Sequence, residues 1–105
     1  MNLTPEPSPP VARPSRLPRF LDQDGRLKQW PTRRRDQLDA LERLAALFVP
    51  GRRYTEREVN RMLQAHHTFG DWALLRRALF DFRFVDRESD GSSYWRRDEP
   101  EGPKP

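Results

Sequence analysis

The residues best suited to chemistry in this sequence are arginines, and the chemistry they suit is electrostatic. Arg76 and Arg77 stand together in the stretch Asp71 to Phe82, where Leu74, Leu75, Ala78, Leu79 and Phe82 cluster on one helical face. Ala73, Arg76, Arg77 and Phe80 fall on the opposite face. Arginine carries a planar fork of donors that matches phosphate oxygens or the acceptor edge of guanine. Two of them off the apolar face of a helix that follows a helix and a turn are aimed where a recognition helix reads bases or phosphates. Arg87 and Arg96, flanking an Asp90-Gly91 turn, and the triplet Arg33-Arg34-Arg35 are further candidates for backbone phosphate. The triplet lies in a first helical turn, where the helix dipole disfavours cations, so it needs phosphate or water around it. Phe80 is out of keeping with a reading face. It has three possible uses: a thymine methyl, the underside of the hairpin, or a partner protein.

Other chemistries are poorly served. The chain has no Cys, so disulfides, thiolate zinc sites and Cys nucleophiles are excluded. His66 and His67 are adjacent, and adjacent helical side chains diverge by about 100°, so they do not chelate one ion. His66 shares a face with Val59, Met62 and Leu63 and is expected to be a hydrogen-bonded core histidine. Asp22-Gln23-Asp24-Gly25 has its Gly fourth and Arg33 twelfth, where a calcium loop needs Gly sixth and Glu twelfth. There is no Gly-rich phosphate cradle, no His-x-x-x-His pair and no Ser elbow. No catalytic residue, metal or cofactor is therefore expected, and an enzyme is the weakest reading.

The elements that must position these arginines are legible. Thr32 reads as the N-cap of a helix over 32–48, with Leu38, Leu41, Leu44, Ala45 and Phe48 as its apolar stripe and Val49-Pro50-Gly51 as its stop. Thr55 and Glu58 form a capping box for a helix over 55–66, and Tyr54 with Val59 forms a hydrophobic staple. Arg52-Arg53-Tyr54 reads as a short strand between the first two helices. A turn over 67–70 leads to a third helix over 71–82, and 84–96 reads as a hairpin about Asp90-Gly91. Strand alternation sends Tyr94 and Trp95 to opposite faces. Ahead of these, Leu17 to Trp30 reads as a short extended arm or a hairpin, with its turn at 22–25.

The expected fold is α+β, a small winged-helix-like domain over 17–97 with three helices and a C-terminal β-hairpin. Pro-rich ends at 1–16 and 98–105 read as disordered tails. Of 20 basic residues 18 are Arg, against 16 acids, a formal charge of +4. The sequence pI of about 10.3 fits a nucleic-acid footprint. Acids beside the arginines and a coding bias toward Arg would produce the same totals without a ligand. No membrane-length apolar run or signal-peptide core is present, so a cytosolic protein is expected.

Gly25-Arg26-Leu27, Trp30-Pro31, Arg52-Arg53-Tyr54-Thr55-Glu56, Glu58-Val59-Asn60, Leu75-Arg76-Arg77, Asp90-Gly91 and Tyr94-Trp95 together resemble the bacterial family known as domain of unknown function 2087. The resemblance covers residues 19–97. It implies a winged-helix-like fold that occurs alone or behind helix-turn-helix regulators. One departure stands out: the family often has Gly or another helix-ending residue where this chain has Arg83. A left-handed Arg83 would cost about 1 kcal/mol.

The expected function is a winged-helix DNA-binding transcriptional regulator or an accessory domain of one, with double-stranded DNA as partner. The alternative is a protein-protein interaction module that uses the third helix and hairpin without DNA. A single basic face favours the first and scattered arginines favour the second.

Overall fold

The structure, a computed structural model, describes residues 15–97; the Pro-rich ends at 1–14 and 98–105 lie outside the described residues. A 3₁₀ turn at Leu17–Phe20 leads into three helices, α1 (Arg34–Ala45), α2 (Glu56–Gln64) and α3 (Trp72–Asp81), and a hairpin of β1 (Val85–Arg87) and β2 (Tyr94–Arg96). The three helices and antiparallel hairpin are those expected.

The core gathers one face from each element. Leu41, Leu44, Val59, Leu63, Leu75, Leu79, Val85 and Tyr94 are buried, with Phe48, Tyr54 and Leu27 closing it. The α2 start forms as a reciprocal box. Thr55 Oγ1 accepts from the Glu58 amide at 3.1 Å, and Glu58 Oε1 accepts from the Thr55 amide at 2.9 Å. Such a cap contributes about 1 kcal/mol. Asp71 caps α3 by accepting from the Leu74 amide at 3.2 Å.

The α3 end is closed by a paired-bond cap. The Phe84 amide donates to Leu79 O at 2.9 Å and the Arg83 amide to Phe80 O at 3.0 Å. That geometry needs a left-handed residue, and Arg83 supplies it at φ 68°. Arg83 thus takes the left-handed conformation that the resemblance raised for this position.

The hairpin pairs Val85 with Arg96, Asp86 with Trp95 and Arg87 with Tyr94. Tyr54 adds a one-residue third strand, exchanging two 2.8 Å backbone bonds with Tyr94. The segment between α1 and α2 is thereby stitched to the wing. The arm turns where expected, with Leu21 bridging Leu27. Leu27 also reaches the loop between α2 and α3: its amide donates to His66 O and its carbonyl accepts from the Thr68 amide, each at 2.9 Å. Asp22 spends its carboxylate on this turn, accepting from the Asp24 and Arg26 amides and from Arg26 Nε. The bond from the Arg26 amide is the main reason that Asp22 sits below the usual carboxylate pKa.

Three expectations are corrected. Thr32 does not cap α1: Arg33 holds the cap position without a side-chain bond. The first turn is fixed instead by Gln37 Nε2 donating to Pro31 O at 2.8 Å and by Asp36, which is buried and held by Arg16 at 2.8 and 3.3 Å. Leu38 is only half-buried and outside the core, while Ala40 two residues on, toward the other side of the helix, is inside. His67, not His66, is the buried histidine. Helix α2 ends at Gln64, so helical spacing no longer governs position 67 and the loop turns that ring inward. Its Nδ1 donates to Leu63 O at 2.6 Å, and its ring packs edge-on against Phe69. His66 stays half-buried, bonded to Met62 O at 2.8 Å.

Candidate nucleic-acid interface

The candidate residues divide into three places. Arg76, Arg77, Phe80 and Arg87 meet in one cleft of about 390 Å³ between α3, the α2 N-terminus and the hairpin, with Glu56, Asp81 and Tyr94 completing its walls. Helical spacing supplies Arg76, Arg77 and Phe80 from successive turns of α3, and strand alternation turns Arg87 and Tyr94 to the same hairpin face. Ala73 is exposed on the same side of α3, one turn before Arg76 and Arg77.

Within the cleft the arginines differ. Arg76 is half-buried; its Nη1 donates to Asn60 Oδ1 at 2.5 Å and lies 3.8 Å from Glu56 Oε2. Arg77 is the most open, its side chain 82 % exposed and 3.5 Å from Asp81. Arg87 lies over the Phe80 ring, 4.7 Å from its centre. Phe80 therefore packs under the wing, one of the three uses open to it. Glu56 Oε1 accepts from Tyr94 OH at 3.4 Å. Burial pushes the Tyr94 phenol up from its ordinary pKa, an effect that Arg76 opposes and Glu56 reinforces. Three guanidiniums against two carboxylates leave the cleft basic by one charge.

Arg96 is elsewhere. It shares the inner hairpin face with Val85 and Tyr94, and its Nη1 donates to Phe48 O at 3.3 Å, next to the end of α1. There it anchors the wing to the core. The triplet sits at the start of α1: Arg33, Arg34 and Arg35 are exposed, and Arg34 stacks over the Phe82 ring at 4.5 Å. Phe80 and Phe82 are two residues apart on or at the end of α3, so Arg87 and Arg34 approach that helix from different sides. The arginines form one dense cleft plus outlying positions, not a single continuous sheet of charge.

Sequence reasoning missed two groups at the cleft. Glu56 and Asn60 lie one turn apart on α2, and only the packing of α2 on α3 brings them to Arg76. The outer hairpin face was also unread. Arg53 stacks 4.1 Å over Trp95 and bonds Glu88 and Ser93, each at 3.0 Å.

A larger apolar cleft of about 590 Å³ lies between the N-terminal segment and α1, and none of the candidate residues lines it. No group of three or more His, Asp or Glu among the described residues is arranged to hold a metal ion. No helix among them is long and apolar enough to cross a membrane.

No curated protein and no solved structure matches the chain. Residues 26–96 match the family described as uncharacterized protein conserved in bacteria (DUF2087). That match spans about two-thirds of the chain and includes the cleft, and the chain belongs to this bacterial family.

Proposed function

We propose that the domain binds double-stranded DNA through the exposed side of α3 and the adjoining cleft, as the DNA-contacting part of a transcriptional regulator, and that it acts by binding and not by catalysis. The observation that carries this reading is the convergence of Arg76, Arg77 and Arg87 on one cleft between a third helix and a wing. Arg77 and Ala73 are exposed on the side of α3 that would meet DNA, and Arg77 reaches it from an exposed ion pair with Asp81. Arg76 is fixed by Asn60, so it offers a positioned phosphate donor and not a mobile base reader. The contacts this supports are mainly to backbone, which set affinity and register more than sequence choice. Arg33 and Arg35 are exposed on either side of Arg34, which stacks on Phe82 at the end of α3, and suit flanking phosphates.

The test is fluorescence anisotropy of a labelled duplex with wild type, Arg77→Ala and Arg77→Ala/Arg87→Ala. Loss of a phosphate contact weakens all sequences alike and shallows the salt dependence by about one unit. Unchanged affinity in both variants refutes the reading.

A protein-interaction role for the same face is the second reading. It is favoured by Glu56 and Asp81, which already pair with Arg76 and Arg77 and reduce the field a duplex would meet. Absence of duplex binding in the same titration selects it.

A further inference from the structure

Glu56 stands in an unusual place for a carboxylate on a basic face. It is the first residue of α2, and the cap of that helix is made entirely by Thr55 and Glu58. Glu56 is not needed for the cap. Its side chain, 47 % exposed, turns instead into the cleft. There each of its oxygens meets one donor: Oε2 lies 3.8 Å from Arg76 Nη1, and Oε1 lies 3.4 Å from Tyr94 OH. Both distances are at the long limit for their kind, so the carboxylate is near its donors without being seated on them. Arg87 approaches the same spot. Glu56 Oε1 and Arg87 Nη1 lie 3.6 and 3.7 Å from the position that a Cβ on Gly91 would take.

The donors, by contrast, are held independently of Glu56. Asn60 Oδ1 fixes Arg76, the Phe80 ring supports Arg87, and Tyr94 is pinned by its backbone bonds to Tyr54. A group of fixed donors around a loosely held anion is what remains when an internal carboxylate stands where a better acceptor fits. A phosphate that is not tethered to this chain can seat its oxygens on the same donors at ordinary bond lengths and accept a guanidinium fork with two bonds at once.

We infer that the cleft between α3 and the wing is a site for one phosphate group, and that the Glu56 carboxylate is the internal anion this phosphate displaces. The inference rests on the DNA reading for the source of that phosphate, a backbone phosphodiester. The site's chemistry does not depend on it. Glu56 then sets the affinity threshold of the face: binding requires its side chain to swing to solvent, while Arg76, Arg87 and Tyr94 stay in place.

The experiment compares wild type, Glu56→Gln, Glu56→Ala and Glu42→Gln. Glu42 is an exposed acid on α1 outside the cleft, so its amide variant changes net charge equally. Each protein, checked for an intact cooperative melt, is titrated with inorganic pyrophosphate and with a labelled duplex. Removing the carboxylate that competes for Arg76 at about 4 Å is expected to tighten binding about fivefold. The inference predicts that gain for both Glu56 variants with pyrophosphate, and little for Glu42→Gln. Equal gains at Glu42 and Glu56, or no gain at Glu56, overturn it. If the Glu56 variants gain for pyrophosphate but no form binds the duplex, the DNA reading falls and the phosphate site stands. If the duplex binds through Arg77 and the Glu56 variants gain nothing, the phosphate site falls and the DNA reading stands.

Discussion

Arg16→Ala is the perturbation that most sharply probes how the fold is held. Asp36 lies in the first turn of α1 and is 1 % exposed. Its two oxygens accept from Arg16 Nε at 3.3 Å and Nη2 at 2.8 Å. Removing the guanidinium leaves a buried carboxylate without its counter-charge. Breaking a fully buried pair costs about 3–5 kcal/mol. The Arg16 side chain is 34 % exposed, so water can partly replace it. Solvent screening reduces the expected cost to about 2 kcal/mol. A domain of this size is stable by about 5 kcal/mol, so the loss is a large fraction of the total. With a urea slope of about 1 kcal/mol per molar, the unfolding midpoint falls by about 2 M. The assay is urea unfolding followed by fluorescence of the three tryptophans. The Arg16→Ala/Asp36→Ala pair completes the cycle, and the double variant should recover part of the loss. If Arg16→Ala shifts the midpoint by less than about 0.5 M, the ion pair does not hold the N-terminal segment on α1 and the reasoning is wrong.

Three further outcomes follow from the same contacts. Leu75, fully buried on α3, should cost about 2–5 kcal/mol as Leu75→Ala; a wild-type melt would mean that α3 presents a different face to the core. Arg83→Gly should relieve the left-handed strain at φ 68° and stabilise by up to about 1 kcal/mol, and a lower melting temperature would show that the Arg83 side chain contributes more than its backbone costs. Tyr94 is raised above its ordinary pKa of 10.0, chiefly by burial. Its neutral form is favoured in the fold, so that contribution is present below pH 10.0 and is lost as pH rises through the raised value. Absorbance titration of the phenolate in wild type and Tyr94→Phe should show that the phenol missing from the variant titrates above its ordinary value, and a missing phenol of ordinary pKa would contradict the burial.

Much of the fold was legible because its signals are local. Thr55 and Glu58 specify a cap by spacing alone, and Asp90-Gly91 specifies a hairpin turn by backbone preference. The left-handed conformation at Arg83 was raised only by the resemblance, which implies Gly or another helix-ending residue at that position. What escaped depends on distance in sequence. Arg16 and Asp36 are 20 residues apart, and the Pro-rich composition around Arg16 gave no sign of an ion pair. His66 was preferred to His67 because helical spacing was carried past the residue where α2 stops. Arg96 is different, because its signal was present. Strand alternation places it on the face of Tyr94, so an inward Tyr94 takes Arg96 inward as well. The Arg76 environment needed the crossing of α2 over α3, which no spacing rule supplies.

The central claim is that this face binds duplex DNA through phosphate contacts made by the cleft and the exposed side of α3. The most direct measurement is the slope of log affinity for a duplex against log salt concentration. Each neutralised phosphate contributes about 0.9 to that slope, so one phosphate shared by Arg76 and Arg87 and a second met by Arg77 predict a value of about 2. Arg77→Ala should lower it by about 1. A slope near zero, a slope that Arg77→Ala leaves unchanged, or no binding at low salt would contradict the account.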